Sequence, residues 1–286
     1  MRNGPDATSG SNSAPESEKS SSRNTVSESE EPSSPVGYRR HGAAAVVSIE
    51  RPERRNAVDG PTAEALYSAL VRFESEDDAR AMVLTGAGDV AFCAGADLKA
   101  IETLGGRLTS PEGPMGFTRL TPSKPTIAAI SGFALAGGLE LALWCDLRIA
   151  TADSKFGYPE RRWGVPLIDG GTQRLPRIVG LGRALDLILT GRIFDASEAY
   201  AMGMLTEVVA EGAHLERAIE LANNLARFPQ RTMLADRRAA IEGLGMTLEQ
   251  GLLLESEAGP ETYLDAVRGA GRFASGEGRG GAGAGA

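Results

Sequence analysis

The sequence predicts an α/β protein in which an alternating core is followed by a helical appendage. Up to about Arg174, short β-like runs ended by turn residues alternate with segments of helical spacing; beyond it the chain reads as helices. Both ends are of low complexity, which confines the fold to the stretch between them.

The elements follow in order. "AAAVVSIERP" (residues 43–52) and "ARAMVLTGAG" (residues 79–88) are β-like runs closed by turn residues. Between them, residues 60–74 place Ala63, Leu66, Leu70 and Phe73 on one face of a helix. "PTIAAISGFAL" (residues 125–135) is expected to be one buried strand, followed by a helix, and "DLRIATADSKFGY" (residues 146–158) continues with a further strand. Six helical segments are then expected, from "RALDLILTG" to "ETYLDAVRGAGRFA". The resulting division is a Ser/Glu-rich disordered tail at 1–36, a core at 37–200, a helical region at 201–274 and a flexible Gly/Ala tail at 275–286.

Bulk chemistry narrows the function. The chain has 286 residues, a net charge of −8 and 42% apolar residues, enough for a sizeable core. Its acidity argues against nucleic acid as the main partner, and the helix at 60–74 sets only Arg72 against Glu64 and Glu74. No apolar run is long enough to cross a membrane, and residues 1–36 lack the apolar stretch of a secretory signal. Cys93 and Cys145 lie in apolar sequence without metal-like spacing, which points to reduced thiols and a cytoplasmic setting. The two histidines, His41 and His214, have no partners for a hydrolytic triad, and no ligand cluster suggests a metal.

Three stretches carry candidate chemistry. In "AFCAGADLK" (residues 91–99), Ala94, Gly95 and Ala96 let a ligand approach the main chain, although a tight turn packed on small residues also accounts for them. In "ALAGGLELAL" (residues 134–143), Gly137 and Gly138 open a helix whose first amides lack intrahelical partners. Close packing explains the glycines. It does not explain Glu140, an acid in a helix apolar nearly all round, where leaving water costs several kcal/mol unless the group is paired or neutralised. In "FGYPERRWGVPLIDGGTQRL" (residues 156–175), Glu160 follows a strand and Asp169 is placed to help cap a helix starting near Thr172. Two backbone donors and two acids suit an enolate: the donors hold charge on a thioester oxygen while carboxyls raised by burial move protons.

"RPERRNAVD", "AFCAGADLK", "SGFALAGGLELAL" and "GGTQRLPRIVG", in this order and spacing, make the chain resemble the crotonase superfamily of enoyl-CoA hydratases and isomerases from about residue 38 to 280. The resemblance implies a crotonase-like spiral of ββα units with a helical C-terminal trimerisation region, assembled as a homotrimer or a dimer of trimers. It implies an oxyanion hole from the backbone N–H groups of Ala96 and Gly137, with Glu140 and Glu160 as the two acids of a hydratase. Ala94, Gly95, Asp97 and Leu98 would contact the adenine and pantetheine of CoA, and Arg51, Arg54 and Arg55, before Asn56 and Ala57, would lie near its phosphates. The implied reaction is hydration of 2-enoyl-CoA to 3-hydroxyacyl-CoA, with an acyl-CoA thioester as the partner and no separate cofactor.

Some residues depart from that pattern. Ala136 replaces the usual third glycine, Trp163 is expected to narrow the acyl pocket, and Arg161 and Arg162 are placed to bind Glu160 and lower its pKa. Asp169 lies one place from the catalytic aspartate of dienoyl-CoA isomerases, which keeps enoyl- or dienoyl-CoA isomerisation open as an alternative. A non-catalytic acyl-CoA-binding member is the other alternative, one that would not need both acids.

Overall fold

The computed structural model describes Met1 and residues 34–277; of the tails expected at 1–36 and 275–286, residues 2–33 and 278–286 lie outside the described residues, while Val36 begins a strand. The chain opens with an antiparallel pair, β1 (Val36–His41) and β2 (Ala44–Ile49), and continues into α1 (Gly60–Ser75). Asp59 caps α1 by accepting a hydrogen bond from Thr62 N at 3.0 Å, and the expected stripe of Ala63, Leu66, Leu70 and Phe73 is buried.

From α1 onward the chain crosses repeatedly between two sheets. β3 (Ala81–Gly86) is followed by β4 (Ala91–Cys93), then β5 (Thr126–Ile130) by β6 (Phe133–Leu135) and the helix α2 (Gly137–Trp144). β7 (Leu147–Thr151) is likewise followed by β8 (Lys155–Gly157), and the helices α3 (Gly171–Val179) and α4 (Leu181–Thr190) come next. β9 (Ile193–Asp195), α5 (Ala196–Ala201), β10 (Glu207–Val209) and α6 (His214–Leu225) complete the core. The first strand of each pair joins a six-stranded sheet of order β1-β2-β3-β5-β7-β10; the second joins a four-stranded sheet of order β4-β6-β8-β9.

This corrects two expectations. Residues 125–135 and 146–158 each form two strands in different sheets, not one strand each. The break in the first is imposed at Gly132, where φ is +63° and a Cβ would sit 2.1 Å from the Val90 carbonyl oxygen. β1, β9 and β10 were not expected. The last two are three-residue strands inside the stretch read as wholly helical, too short to show a period.

The larger sheet is parallel apart from β1, and β2, β3 and β5 are buried along their whole length. Both faces are covered, so these strands read as continuous apolar runs. Val46, Val83, Ile127 and Ile149 pack under Ala218 and Ala222 of α6. Val47, Leu84 and Ala128 join Leu66, Leu70 and Phe73 in the larger core. Because β10 pairs with β7 and α6 covers the sheet, the chain stays in the core for some 25 residues beyond residue 200.

Two further helices, α7 (Gln230–Glu242) and α8 (Leu248–Ala274), contain no buried residue. Arg237 fastens α7 to the core by Nε to Asp146 Oδ2 at 3.0 Å and Nη1 to the Pro122 carbonyl at 2.8 Å.

Asn56 holds the loop before α1 in place. It is fully buried at φ 54°, accepts from Arg51 N at 3.0 Å and donates to the carbonyls of Ala87 at 3.0 Å and Ala91 at 2.7 Å. Asn56→Ala strands these groups and is expected to cost about 3 kcal/mol, read as a lower urea midpoint.

Candidate active site

β4, β6 and β8 are parallel neighbours, with Cys93 opposite Ala134 and Ala134 opposite Phe156. Their C-terminal ends therefore emerge side by side, and each delivers one part of a site.

After β4, the turn through Gly95 packs on the chain after β6. Val58 N donates to Gly95 O and Asp97 N to Val58 O, both at 2.8 Å, so this bridge leaves the Ala96 N–H directed away from Val58. After β6, Ala136 takes φ 53° and ψ −128°, a region that costs a residue bearing a Cβ about 1–3 kcal/mol. The turn aims Gly137 N, the first amide of α2, out of the helix. At Gly138 a Cβ would lie 2.0 Å from the Cys93 carbonyl oxygen, so only glycine lets α2 start this close to β4. Ala96 and Gly137 both line one cavity of about 410 Å³.

Glu140, in the first turn of α2, is 2% exposed. Its Oε1 accepts hydrogen bonds from Asp169 N at 3.1 Å and Gly171 N at 2.7 Å. Burial pushes its carboxyl up to about 8; the negative charge of Asp169 adds to this, and the two amides oppose it only in part. Glu160 stands on a short 3-10 segment, Pro159–Trp163, that follows β8. Burial pushes its carboxyl up to about 7, and its Oε2 has no hydrogen-bond partner among the described residues. The rest of the cavity wall is mainly apolar, including Ile101, Leu104, Leu108, Met115, Val165 and Ile168. Such a site suits an acyl group whose reacting end meets two acids and two amide donors.

Residues 39–271 match the family model described as enoyl-CoA hydratase/isomerase. The chain belongs to the enoyl-CoA hydratase/isomerase family. It is 37% identical over 228 residues to a short-chain-enoyl-CoA hydratase of Clostridium acetobutylicum, covering 78% of this chain and 87% of that protein. To a crotonyl-CoA hydratase of Syntrophomonas wolfei it is 35% identical, covering 75% of this chain and 84% of the relative. The crystal structure of an enoyl-CoA hydratase from Mycobacterium marinum superposes with a TM-score of 0.80 at 35% identity, over 85% of this chain and 96% of that one. The crotonase-type architecture, with its ββα units and helical C-terminal region, is thus the fold of this chain.

In this family member the cavity is lined by Ala94, Ala96, Leu98, Gly137, Glu140, Glu160, Trp163 and Asp169, which the sequence had singled out. Trp163 is 74% exposed, so it stands at the mouth. Arg51 is engaged elsewhere: it reaches Asp59 at 2.9 Å, Asp97 at 3.1 Å and the Ala57 carbonyl, and so ties the 51–59 loop to the turn after β4. Arg54 and Arg55 are exposed, whereas Ala57 and Gly95 are buried. Cys93 and Cys145 are free and buried, their thiols pushed up to about 12 by burial.

Two local expectations are corrected. Asp169 does not cap α3, whose N-cap is Gly170 with no side-chain bond. It instead accepts hydrogen bonds from Met115 N at 3.0 Å and from the Thr118 hydroxyl. Arg161 and Arg162 do not pull Glu160 down: desolvation outweighs the Arg161 charge, and Arg161 Nε donates to the Ile188 carbonyl at 3.3 Å. Not legible in the sequence were Met115 and Thr118, which lie in an irregular stretch, and Tyr158, whose buried hydroxyl lies near Glu140 beside Gly171. An aromatic hydroxyl two residues before Glu160 was the available signal.

A carboxyl whose pKa is higher folded than unfolded takes up protons on folding, so stability falls as pH rises from about 4.5 to about 8 through Glu140. Glu140→Gln keeps the Oε1 acceptor and removes the ionisation. It is expected to be more stable than wild type at pH 8.5 by at least about 1 kcal/mol, with the gain vanishing near pH 4.5, as read by urea unfolding at both pH values.

Proposed function

We propose that this protein hydrates 2-enoyl-CoA thioesters to 3-hydroxyacyl-CoA. The observation that carries the reading is the pair of buried, upward-shifted carboxyls, Glu140 and Glu160, on the wall of an apolar cavity beside the amides of Ala96 and Gly137. The hydratase names of the relatives at 35–37% identity support it.

In this mechanism the thioester oxygen accepts hydrogen bonds from the N–H groups of Ala96 and Gly137. The reactive form of the pair carries its one proton on Glu160. This is the less populated arrangement, because Glu140, at about 8, holds a proton more tightly than Glu160, at about 7. In that form the ionised Glu140 takes a proton from a water whose oxygen adds to the β carbon. The displaced electron pair passes to the thioester oxygen as an enolate, held by the two amides at about 3–4 kcal/mol each. Glu160, protonated, then delivers its proton to the α carbon. Two carboxyls sharing one proton suffice for both transfers, and the CoA moiety belongs to the substrate, so no separate cofactor is required.

The CoA end is assigned to Ala94, Gly95 and Leu98 along the turn after β4, with the exposed Arg54 and Arg55 facing the phosphates. Arg51 and Asp97 act there through the loop they fasten. Asp169 already holds Met115 and Thr118, which favours hydration over a dienoyl isomerase reading in which it would serve as a free base. A homotrimer or dimer of trimers is the proposed assembly. It is supported by α8, which buries nothing within one chain and leaves Leu248, Leu253, Leu264 and Phe273 each more than 60% exposed. The proposed setting is the cytoplasm; among the described residues no helix is long and apolar enough to cross a membrane.

The test is loss of the conjugated enoyl thioester absorbance with short and medium 2-enoyl-CoA substrates, with the product checked for a 3-hydroxyl group. Glu140→Ala and Glu160→Ala are each expected to lower turnover by at least about 10²-fold. Wild-type turnover in either variant removes that acid from the mechanism. The pH profile of kcat/KM is expected to be bell-shaped, with its alkaline limb in the region of about 7 to 8, where the acid pair loses its last proton. A profile flat to pH 9.5 contradicts a carboxylic acid as the proton donor.

A further inference from the structure

The apolar lining of the cavity is broken by three carboxyls, Glu140, Glu160 and Asp169, and among the described residues no Lys, Arg or His lines it. Two of the three acids have a task in the proposed reaction. Asp169 has none, yet it is 4% exposed, and an acid so placed has lost hydration that something must replace.

Its two oxygens differ. Oδ1 accepts the hydrogen bonds from Met115 N and the Thr118 hydroxyl. Oδ2 has neither a hydrogen bond nor an ion pair among the described residues. The two arginines whose charge bears on Asp169 donate to carbonyls instead: Arg174 to those of Asp169 and Thr118, Arg119 to those of Ser110 and Leu108. Nor is Oδ2 walled in, as the unpartnered Tyr158 Oη and Glu160 Oε2 are, so it is the oxygen that Asp169 turns to the cavity.

The protonation of the group narrows what can pair with it. With Oδ1 filled by two donors, any proton that Asp169 holds sits on Oδ2. Burial raises this carboxyl, so a ligand has to suit it ionised and protonated alike. A hydroxyl does both: it donates to the ionised oxygen and accepts from the protonated one. An ammonium group suits only the first form. A carboxylate suits only the second and meets the charge of the other acids. An alkyl chain suits neither, since it strips Oδ2 of solvent and returns no hydrogen bond.

We propose that Asp169 is a specificity-determining residue: its Oδ2 pairs with a hydroxyl on the acyl chain just beyond the β carbon, so that γ- or δ-hydroxy-2-enoyl thioesters are preferred to plain alkenoyl ones. The position on the chain rests on the hydratase reading. Asp169 N lies 3.1 Å from Glu140 Oε1, and Glu140 serves the β carbon in that reaction, which sets Asp169 beside the next atoms of the chain.

Saturated thioesters, which cannot be hydrated, isolate the contact. The probes are freshly prepared 4-hydroxybutanoyl-CoA against pentanoyl-CoA, and 5-hydroxypentanoyl-CoA against hexanoyl-CoA, each pair differing by a hydroxyl in place of a methyl group. By titration calorimetry, wild type is expected to bind the hydroxyl member of at least one pair more tightly than its methyl partner. Asp169→Leu is expected to shift that ratio towards the methyl member by at least about tenfold. Because the ratio compares two ligands on one protein, a general disturbance of the Met115–Thr118 stretch cancels; Asp169→Ala serves if the leucine prevents folding. Preference of the wild type for the methyl member of both pairs overturns the proposal, as does a ratio that the variant leaves unchanged. Absence of turnover with 2-enoyl-CoA overturns the hydratase reading instead, and the binding ratios still judge Asp169. Binding of none of the four thioesters overturns both.

Discussion

A single carboxylate oxygen, Glu140 Oε1, joins the start of α2 to the start of α3. By accepting the amides of Asp169 and Gly171 it fixes the turn between Glu160 and α3, and through Asp169 it reaches the Met115–Thr118 stretch. Three segments distant in sequence thus converge on one acid that the fold has taken out of water. Two amide donors would suit an ionised carboxylate, but desolvation and the charge of Asp169 outweigh them, and the carboxyl still lies near 8. The group that organises the site is therefore the one whose burial opposes folding at high pH, a form of strain that persists where chemistry requires it.

The two-sheet topology makes this convergence possible. Had residues 125–135 formed one long strand, the chain would have left the larger sheet far from the turn after β4. The break at Gly132 instead passes the chain to the smaller sheet, where β4, β6 and β8 lie parallel, with a shift of register between Ala91 and Cys93 of β4. Their ends then place the Ala96 amide, the Gly137 amide and Glu160 along one edge. This follows the general rule for parallel strands, whose carboxyl ends are where ligands are bound. Close approach at that edge is maintained by Gly138, which leaves room for the Cys93 carbonyl, and by Ala136, which accepts an unfavourable backbone to turn the amide outward.

Much of this was legible in the residues. The face of α1, the anomalous acid in α2 and the small-residue turns were readable because each shows as a local pattern or a local violation of one. What escaped lacked that kind of signal. β9 and β10 are three residues long, and the crossings between sheets are marked only by Ser131-Gly132 and Asp153-Ser154, short turn signals inside runs that read as single strands. Arg51 looked like a free cation for phosphate because its partners, Asp59 and Asp97, are set by tertiary contacts, one of them across 46 positions of sequence. Asp169 looked like a helix cap for the same reason: its true partners, Met115 and Thr118, come from over 50 positions away.

The apolar cavity and the shifted acids are one physical device. A wall made mainly of apolar and small residues, with Leu, Ile, Met and Val beside Ala, Pro and Gly, limits the solvent that would otherwise stabilise charged carboxylates, so both acids hold protons into the neutral range. In the proposed reaction the same exclusion would strengthen the attraction of the Ala96 and Gly137 amides for a negative oxygen, because less water would compete for it. Enlarging the acyl pocket with polar residues would undo both effects at once: the carboxyls would drift back towards ordinary values and the amides would weaken. In the proposed reaction acyl-chain recognition and proton transfer would therefore be coupled through the dielectric of one cavity, because the residues that would receive the acyl chain are also those that keep the acids out of water.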